Sequence, residues 1–224
     1  MHNIIIYFYF SISICFSTFY NIGFTQIKDN QNISQNINSF GFNIYKHIIN
    51  DKKFLNSNIV LSPYSIYVSL SLLSAGAEKQ TLQEIRKVLN VNDEKINIHS
   101  QIYELSTALL NATDNENYTI HIANSIWLQM GLNIYAEYQN VAQNFYQAKI
   151  ANLDFAQKPE ESRNVINQWV ESNTKKLIQN LLPPRSINTL TTSVLVNALY
   201  FKGLWETAFD KKLTKDDTFF GEDK

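Results

Sequence analysis

"VNALYFKGLWETAFD" (Val196 to Asp210) decides how this chain is read. As a strand starting a few residues earlier, it places Leu195, Asn197, Leu199 and Phe201 on one face and Val194, Val196, Ala198 and Tyr200 on the other. Both faces are apolar apart from Asn197, so the strand is expected to be buried on two sides with one amide inside. A Lys202-Gly203 corner and Trp205 follow it. An unpaired buried amide costs about 1–3 kcal/mol, so Asn197 needs partners.

Working outward, Pro183-Pro184 stops regular structure before the strand, which is expected from Thr191 to Lys202. Upstream, Pro159 with Glu160 and Glu161 has the composition of a helix start, and Val165, Ile166, Trp169 and Val170 form that helix's apolar side. "AKIANLDF" (Ala148 to Phe155) reads as a short strand. Ile134, Tyr138, Val141 and Phe145 recur at helical spacing. "YTIHIANSIWLQ" (Tyr118 to Gln129) switches to period two, with Tyr118, Ile120, Ile122, Ile126 and Leu128 on one face.

Further back, Ile98, Ile102, Leu105 and Leu109 predict another helix, and Thr81-Leu-Gln-Glu84 reads as a capping box before Ile85, Val88 and Leu89. "NIVLSPYS" (Asn58 to Ser65) predicts a short strand running into a helix over Tyr64 to Ser74. That helix sets small serines among bulky apolar residues, which fits burial against close neighbours. Ile37, Phe40, Ile44 and Ile48 give a first amphipathic helix ending near Asn50. Helices interspersed with strands over one continuous stretch make this an α+β protein.

At 224 residues and 45% hydrophobic content the chain is long enough to bury a core. A formal charge of -1, with charges scattered, argues against nucleic-acid binding and against a basic membrane-binding face. The first residues differ from the rest: Ile4 to Tyr20 is apolar and uncharged, as in a secretory leader, with cleavage expected between Gly23 and Gln26. A membrane-spanning anchor is the alternative, since the apolar run is nearly long enough. Residues 1–24 are therefore assigned to a leader, and the mature protein is expected to be secreted, extracellular and free of the membrane. The single cysteine, Cys15, falls inside the leader, so no disulfide is expected. Asn32, Asn111 and Asn117 begin glycosylation sequons.

Patterns for catalysis are absent. The chain has no Gly-x-Ser-x-Gly elbow, no His-Glu-x-x-His helix and no Gly-rich phosphate loop, so neither a metal nor another cofactor is expected. His2, His47, His99 and His121 stand apart from one another and from acidic residues at ligand spacing. Ser62 and Ser65 occupy a strand-to-helix turn, where hydrolases place a nucleophile, but Pro63 stands where an elbow needs glycine and no histidine is placed as base.

The chain from about Phe40 onward resembles the serpins, the serine-protease-inhibitor family. "NIVLSPYSIYVSLSLLSAGAEKQTLQEI" is similar to the family's first strand with helices B and C. "ANSIWLQMGLNI" is similar to the second strand of its central sheet A leading into helix E, and "INQWVESNTKKLIQNLL" to helix F. "VNALYFKGLWETAFD" is similar to strand 3 of sheet A and its corner. The resemblance implies a serpin fold with helices A to F and strands 1 to 3 of sheet A, left incomplete. Residues 35–224 would form the N-terminal part of a single domain, without the fifth and sixth strands of sheet A and without the reactive-centre loop.

Several expectations rest on that resemblance. The complete form would act as a suicide substrate: a protease, in most cases a serine protease, cleaves the loop, and the loop then inserts into sheet A as an added strand. The reactive bond is not in this chain. Asn197 would join a polar cluster called the shutter, with Ser62 and Ser65 as its partners and a histidine from strand 5 as a further one. Trp169 and Val170 would belong to the helix that gates the opening of the sheet, Lys202 and Gly203 to a strand-end turn, and Trp205 to the core. The helix D segment offers only Lys95 and His99, too few for a heparin cofactor, and the complete protein would be a monomer and no enzyme. Two alternatives stay open: a non-inhibitory serpin acting as carrier, chaperone or storage protein, or an inactive truncated product.

Overall fold

The computed structural model describes residues 3–13, 31–54, 58–91, 97–112, 118–205 and 207–218. Cys15, the expected cleavage region, Lys95 and Asn117 lie outside the described residues, as do His2 and the side chain of Asn32. In chain order the elements are β1 (Asn3–Ser13), α1 (Gln31–Ile49), α2 (Pro63–Ser74), α3 (Lys79–Val88), α4 (Ile98–Asn111), β2 (Tyr118–Gln129), α5 (Ala136–Tyr146), β3 (Lys149–Leu153), α6 (Pro159–Asn173) and β4 (Thr191–Gly203). The strands form one sheet in the order β1-β4-β2-β3.

β4 lies inside the sheet with a strand on each edge, and its alternating faces are both apolar because a packed layer covers each side of the sheet. It runs antiparallel to β2, with Ile126 opposite Leu195 and Ala123 opposite Ala198. β3 runs parallel to β2 on the far side. On its other edge β4 pairs in parallel with β1, Ile5 opposite Val194 and Ser13 opposite Lys202. Part of the stretch assigned to a leader thus lies beside the strand on which the reading of the chain turns.

Each face of the sheet carries its own core. On one side Ile126, Leu128 and Leu195 pack with Tyr67, Val68 and Leu72 of α2, Ile102 of α4 and Phe40 of α1. On the other, Ala123, Trp127, Val194, Val196 and Ala198 pack under Ile166 and Val170 of α6 and under Ile178 and Leu182 of the segment that follows it. A fully buried side chain of this size contributes about 1.5–3 kcal/mol, so the two layers hold the sheet from both sides. Trp127 is 1% exposed, meets Trp169 edge-on at 5.8 Å and carries the Lys149 ammonium over its ring.

Local signals account for most element ends. Ser62 caps α2 by accepting from the Ser65 backbone N–H, with Pro63 in the first turn. Asn97 caps α4 through the N–H groups of His99 and Ser100. α5 stops at Gln147, whose φ of 50° turns the chain into β3.

Three expectations change. The capping box at Thr81 does not start α3: the helix already begins at Lys79, so Thr81 lies inside the first turn, and Gln80 donates to Glu84 instead. Residues 58–62 form no strand, since no described residue pairs with them. Trp205 is 46% exposed, where a core anchor was expected. Beyond Gly203 the chain leaves the sheet, and Trp205 meets only the edge of Phe209, itself 76% exposed, because the described residues supply no layer above them.

Candidate functional site

Asn197 lies at the middle of β4 and is 1% exposed. The antiparallel register sets it directly opposite Asn124 of β2. Its Nδ2 donates to Asn124 Oδ1 at 2.7 Å, and Asn124 Nδ2 donates to the Tyr146 carbonyl at 2.8 Å. The Tyr146 hydroxyl in turn pairs with His99 Nδ1 at 2.7 Å. A relay of three hydrogen bonds therefore runs from α4, past the C-terminal end of α5, to the centre of the sheet.

One atom of the relay is unsatisfied: Asn197 Oδ1 is buried and accepts no hydrogen bond. In so closed a site a free amide oxygen costs about 1–3 kcal/mol, and it is a ready acceptor for any donor brought beside it. The expected partners are occupied elsewhere. Ser62 Oγ donates to Ser65 Oγ at 3.0 Å and accepts from the Ser65 backbone N–H at 3.2 Å. The two serines, buried at the start of α2, serve as a helix cap while Asn124 holds Asn197. Asn124 is the residue the motif reading missed. Its signal was the gap at position 124 in the alternation Ile122, Ile126, Leu128, which matches the gap at 197 in the facing strand.

α6 closes the opposite face. Val170 and Ile166 are fully buried against the sheet, while Trp169 packs edge-on against Trp127 at the margin. The segment after α6 is fastened back onto it. Asn167 Nδ2 donates to the Leu182 carbonyl, and the Leu182 N–H donates to Asn167 Oδ1. Arg163 also donates to the Leu182 carbonyl, and the Arg185 N–H donates to Glu160. The Arg163 Nε–H, which donates to Glu160 Oε2 at 2.8 Å, and then the Arg185 N–H hold the Glu160 carboxyl below the usual carboxylate range.

The titratable groups near the sheet are tuned toward neutrality. Burial first, and the Arg86 charge second, push the His99 imidazole down to about 4, and burial raises the Tyr146 hydroxyl well above its ordinary value. His121 stacks on Tyr200 at 6.0 Å, and its Nε2 is buried without a partner. Burial and then Lys175 lower its pKa. A neutral imidazole on each face suits a sheet interior, and neither has a nucleophile or carboxylate as hydrogen-bond partner. Among the described residues no group of three or more His, Cys, Asp or Glu side chains is placed to hold a metal. Lys202 and Gly203 end β4 opposite Thr119 and Tyr118 of β2, and Asn111 is exposed at the last turn of α4. The arrangement joins the two facing strands β2 and β4 through a buried amide–amide hydrogen bond.

Comparison with known proteins gives this geometry a family. A family model described as serpin (serine protease inhibitor) matches residues 35–224. Serpin B3 of Homo sapiens is 36% identical over 84% of this chain and 51% of its own length. Antithrombin-III of Mus musculus is 35% identical over 82% of this chain and 40% of its own. The native stressed conformation of the Arabidopsis serpin AtSerpin1 superposes with a TM-score of 0.73 at 30% identity, covering 85% of this chain and 48% of that one. Emu ovalbumin superposes equally well, with a TM-score of 0.73 at 27% identity, over 84% of this chain and 51% of its own. The chain thus spans about half the length of the relatives it matches. With its central strand, its asparagine pair and a family match running from residue 35 to residue 224, the chain belongs to the serpins, the serine protease inhibitor family.

Proposed function

We propose that this chain is the N-terminal part of a secreted serpin whose complete form inhibits a serine protease as a suicide substrate. A loop supplied by the remainder of the protein would be cleaved and would then insert beside β4 as an added strand. One observation carries this reading: the central strand has a free buried acceptor, Asn197 Oδ1, at the point where such a strand or its neighbour would pass. Exchangeable amide bonds suit strands that must part, and α6, packed through Val170 and Trp169, lies across the path of the movement.

The β4 edge now occupied by Asn3–Ser13 is the edge an incoming strand would need. Removal of residues 1–24 as a secretory leader would free it. Secretion also accounts for the sequon at Asn111, whose side chain is exposed to a glycan.

The test is to express the whole gene product, including whatever follows Lys224, and incubate it with trypsin-like and elastase-like proteases. A protease-inhibitor complex that survives boiling in SDS is the expected result. Cleavage of the protein as a simple substrate by every protease in the panel would contradict the proposal.

A further inference from the structure

A cavity of about 480 Å³ opens at the start of β4, between the end of α2, α3 and the first turn of α5. The sheet is its floor, through the buried side chains of Ile126 and Leu128 of β2 and Leu195 of β4. Leu73 of α2, Ile85 of α3 and Ile134 just before α5 are partly buried against the same core and form its walls.

The sequence leaves this space open. Gly76, Ala77 and Ser193 stand around it, and none of the three has a side chain large enough to fill it. Ser193 comes two residues before Leu195 on the same face of β4, where Leu195 and Leu199 carry the bulk. At Gly76 the chain runs close to α5: a Cβ there would lie 3.2 Å from the Tyr138 ring, so backbone and ring together close one side. Among the described residues that line the cavity, none carries a charge at neutral pH. Thr81 and Asn133 are exposed at its mouth, and half-buried Ser193 and Tyr138 add hydroxyls. Burial pushes the Tyr138 hydroxyl up to about 12, so it keeps its proton.

Aliphatic lining, neutrality and size together select a ligand. An apolar cavity of about 150 Å³ takes up benzene, and this one is about three times larger, enough for a chain of roughly ten carbons. Branched aliphatic walls accept a flexible chain and impose no flat shape. An ionised head would lose its hydration and gain no counterion from the lining, whereas a hydroxyl finds partners among Thr81, Asn133 and Ser193. We propose that this cavity is a binding site for a neutral aliphatic molecule of medium chain length with a single hydroxyl head, of the fatty-alcohol class. The site shares no lining residue with the asparagine relay, and it stands or falls separately from protease inhibition.

The test uses 1-decanol as probe and the whole 224-residue chain, followed by isothermal titration calorimetry at several temperatures. Saturable binding of one molecule per chain is expected, with a Kd on the order of 10 μM and a negative heat-capacity change from apolar burial. Decanoate, of the same chain length but charged, should bind at least tenfold more weakly. Ala77→Phe, which fills the cavity from the end of α2, should reduce 1-decanol binding at least tenfold with an unchanged circular dichroism spectrum. If that variant fails to fold, Thr81→Trp serves the same purpose from α3. Absence of saturable binding to the folded chain, equal binding of decanoate, or full binding to a folded filled variant would each overturn the proposal.

Discussion

At the scale of single residues, the molecule turns on two amides that face each other across antiparallel strands. Asn197 was legible in the sequence because an amide interrupts an apolar strand, but its partner was not. Nothing local to "SPYS" shows that its serines are committed to capping α2, and only the strand register, a long-range property, brings Asn124 opposite Asn197. The pairing has a measurable energy. Asn124→Ala strands the Asn197 amide and should destabilise the chain by about 1–3 kcal/mol. Asn197→Ala in the Asn124→Ala background should cost clearly less than it does alone, and additive losses in urea titrations would mean that the amides are not coupled. His99 supplies a second residue-level prediction. Its folded pKa of about 4 lies below the unfolded value near 6.5, so the unfolded chain binds the proton more readily. The stability that depends on neutral His99 is therefore complete above about pH 6.5 and is lost as pH falls toward 4. The urea midpoint should drop between pH 7 and pH 5, and His99→Gln should flatten that drop; an equal drop in the variant would assign it to other groups.

At the scale of elements, periodicity together with capping and composition signals located the six α-helices of the described residues and the strands β2, β3 and β4, while their ends followed chemistry that those signals do not carry. α3 starts before Thr81 despite the capping-box pattern, and residues 58–62 stay outside any sheet because a strand needs a neighbour that no described residue provides. β1 was invisible as a strand, since an apolar run without alternation reads equally as a leader or a span. The fastening of α6 is another feature no motif announced. Asn167, on a helix recognised only by its apolar side, grips both backbone groups of Leu182 from 15 residues away. Asn167→Ala should cost about 1–3 kcal/mol by leaving the Leu182 N–H unpaired, the carbonyl keeping its bond from Arg163. Hydrogen exchange should show faster opening of the segment from Lys175 to Asn188, with little change in α4. Uniform acceleration across the whole chain would mean that α6 and its fastening are not a separable unit.

At the scale of the whole molecule, the fold is a three-layer arrangement built around one sheet, helices on both faces, and an apolar margin beyond Gly203. Leu204, Trp205, Phe209 and Leu213 are all at least 46% exposed. The resemblance to the serpins marked Trp205 as a core residue. It could not show that its cover would have to come from outside the described residues. The chain spans about half the length of the relatives it matches. The proposal of inhibition by strand insertion belongs at this scale. An added central strand brings new backbone hydrogen bonds and buries the edge of β4, so the cleaved complete protein must be more stable than the intact one. The most direct measurement is the thermal midpoint of the complete protein before and after a single cut in its reactive loop. A rise of many degrees with the chain still associated is the expected result, and an unchanged or lower midpoint would contradict the account.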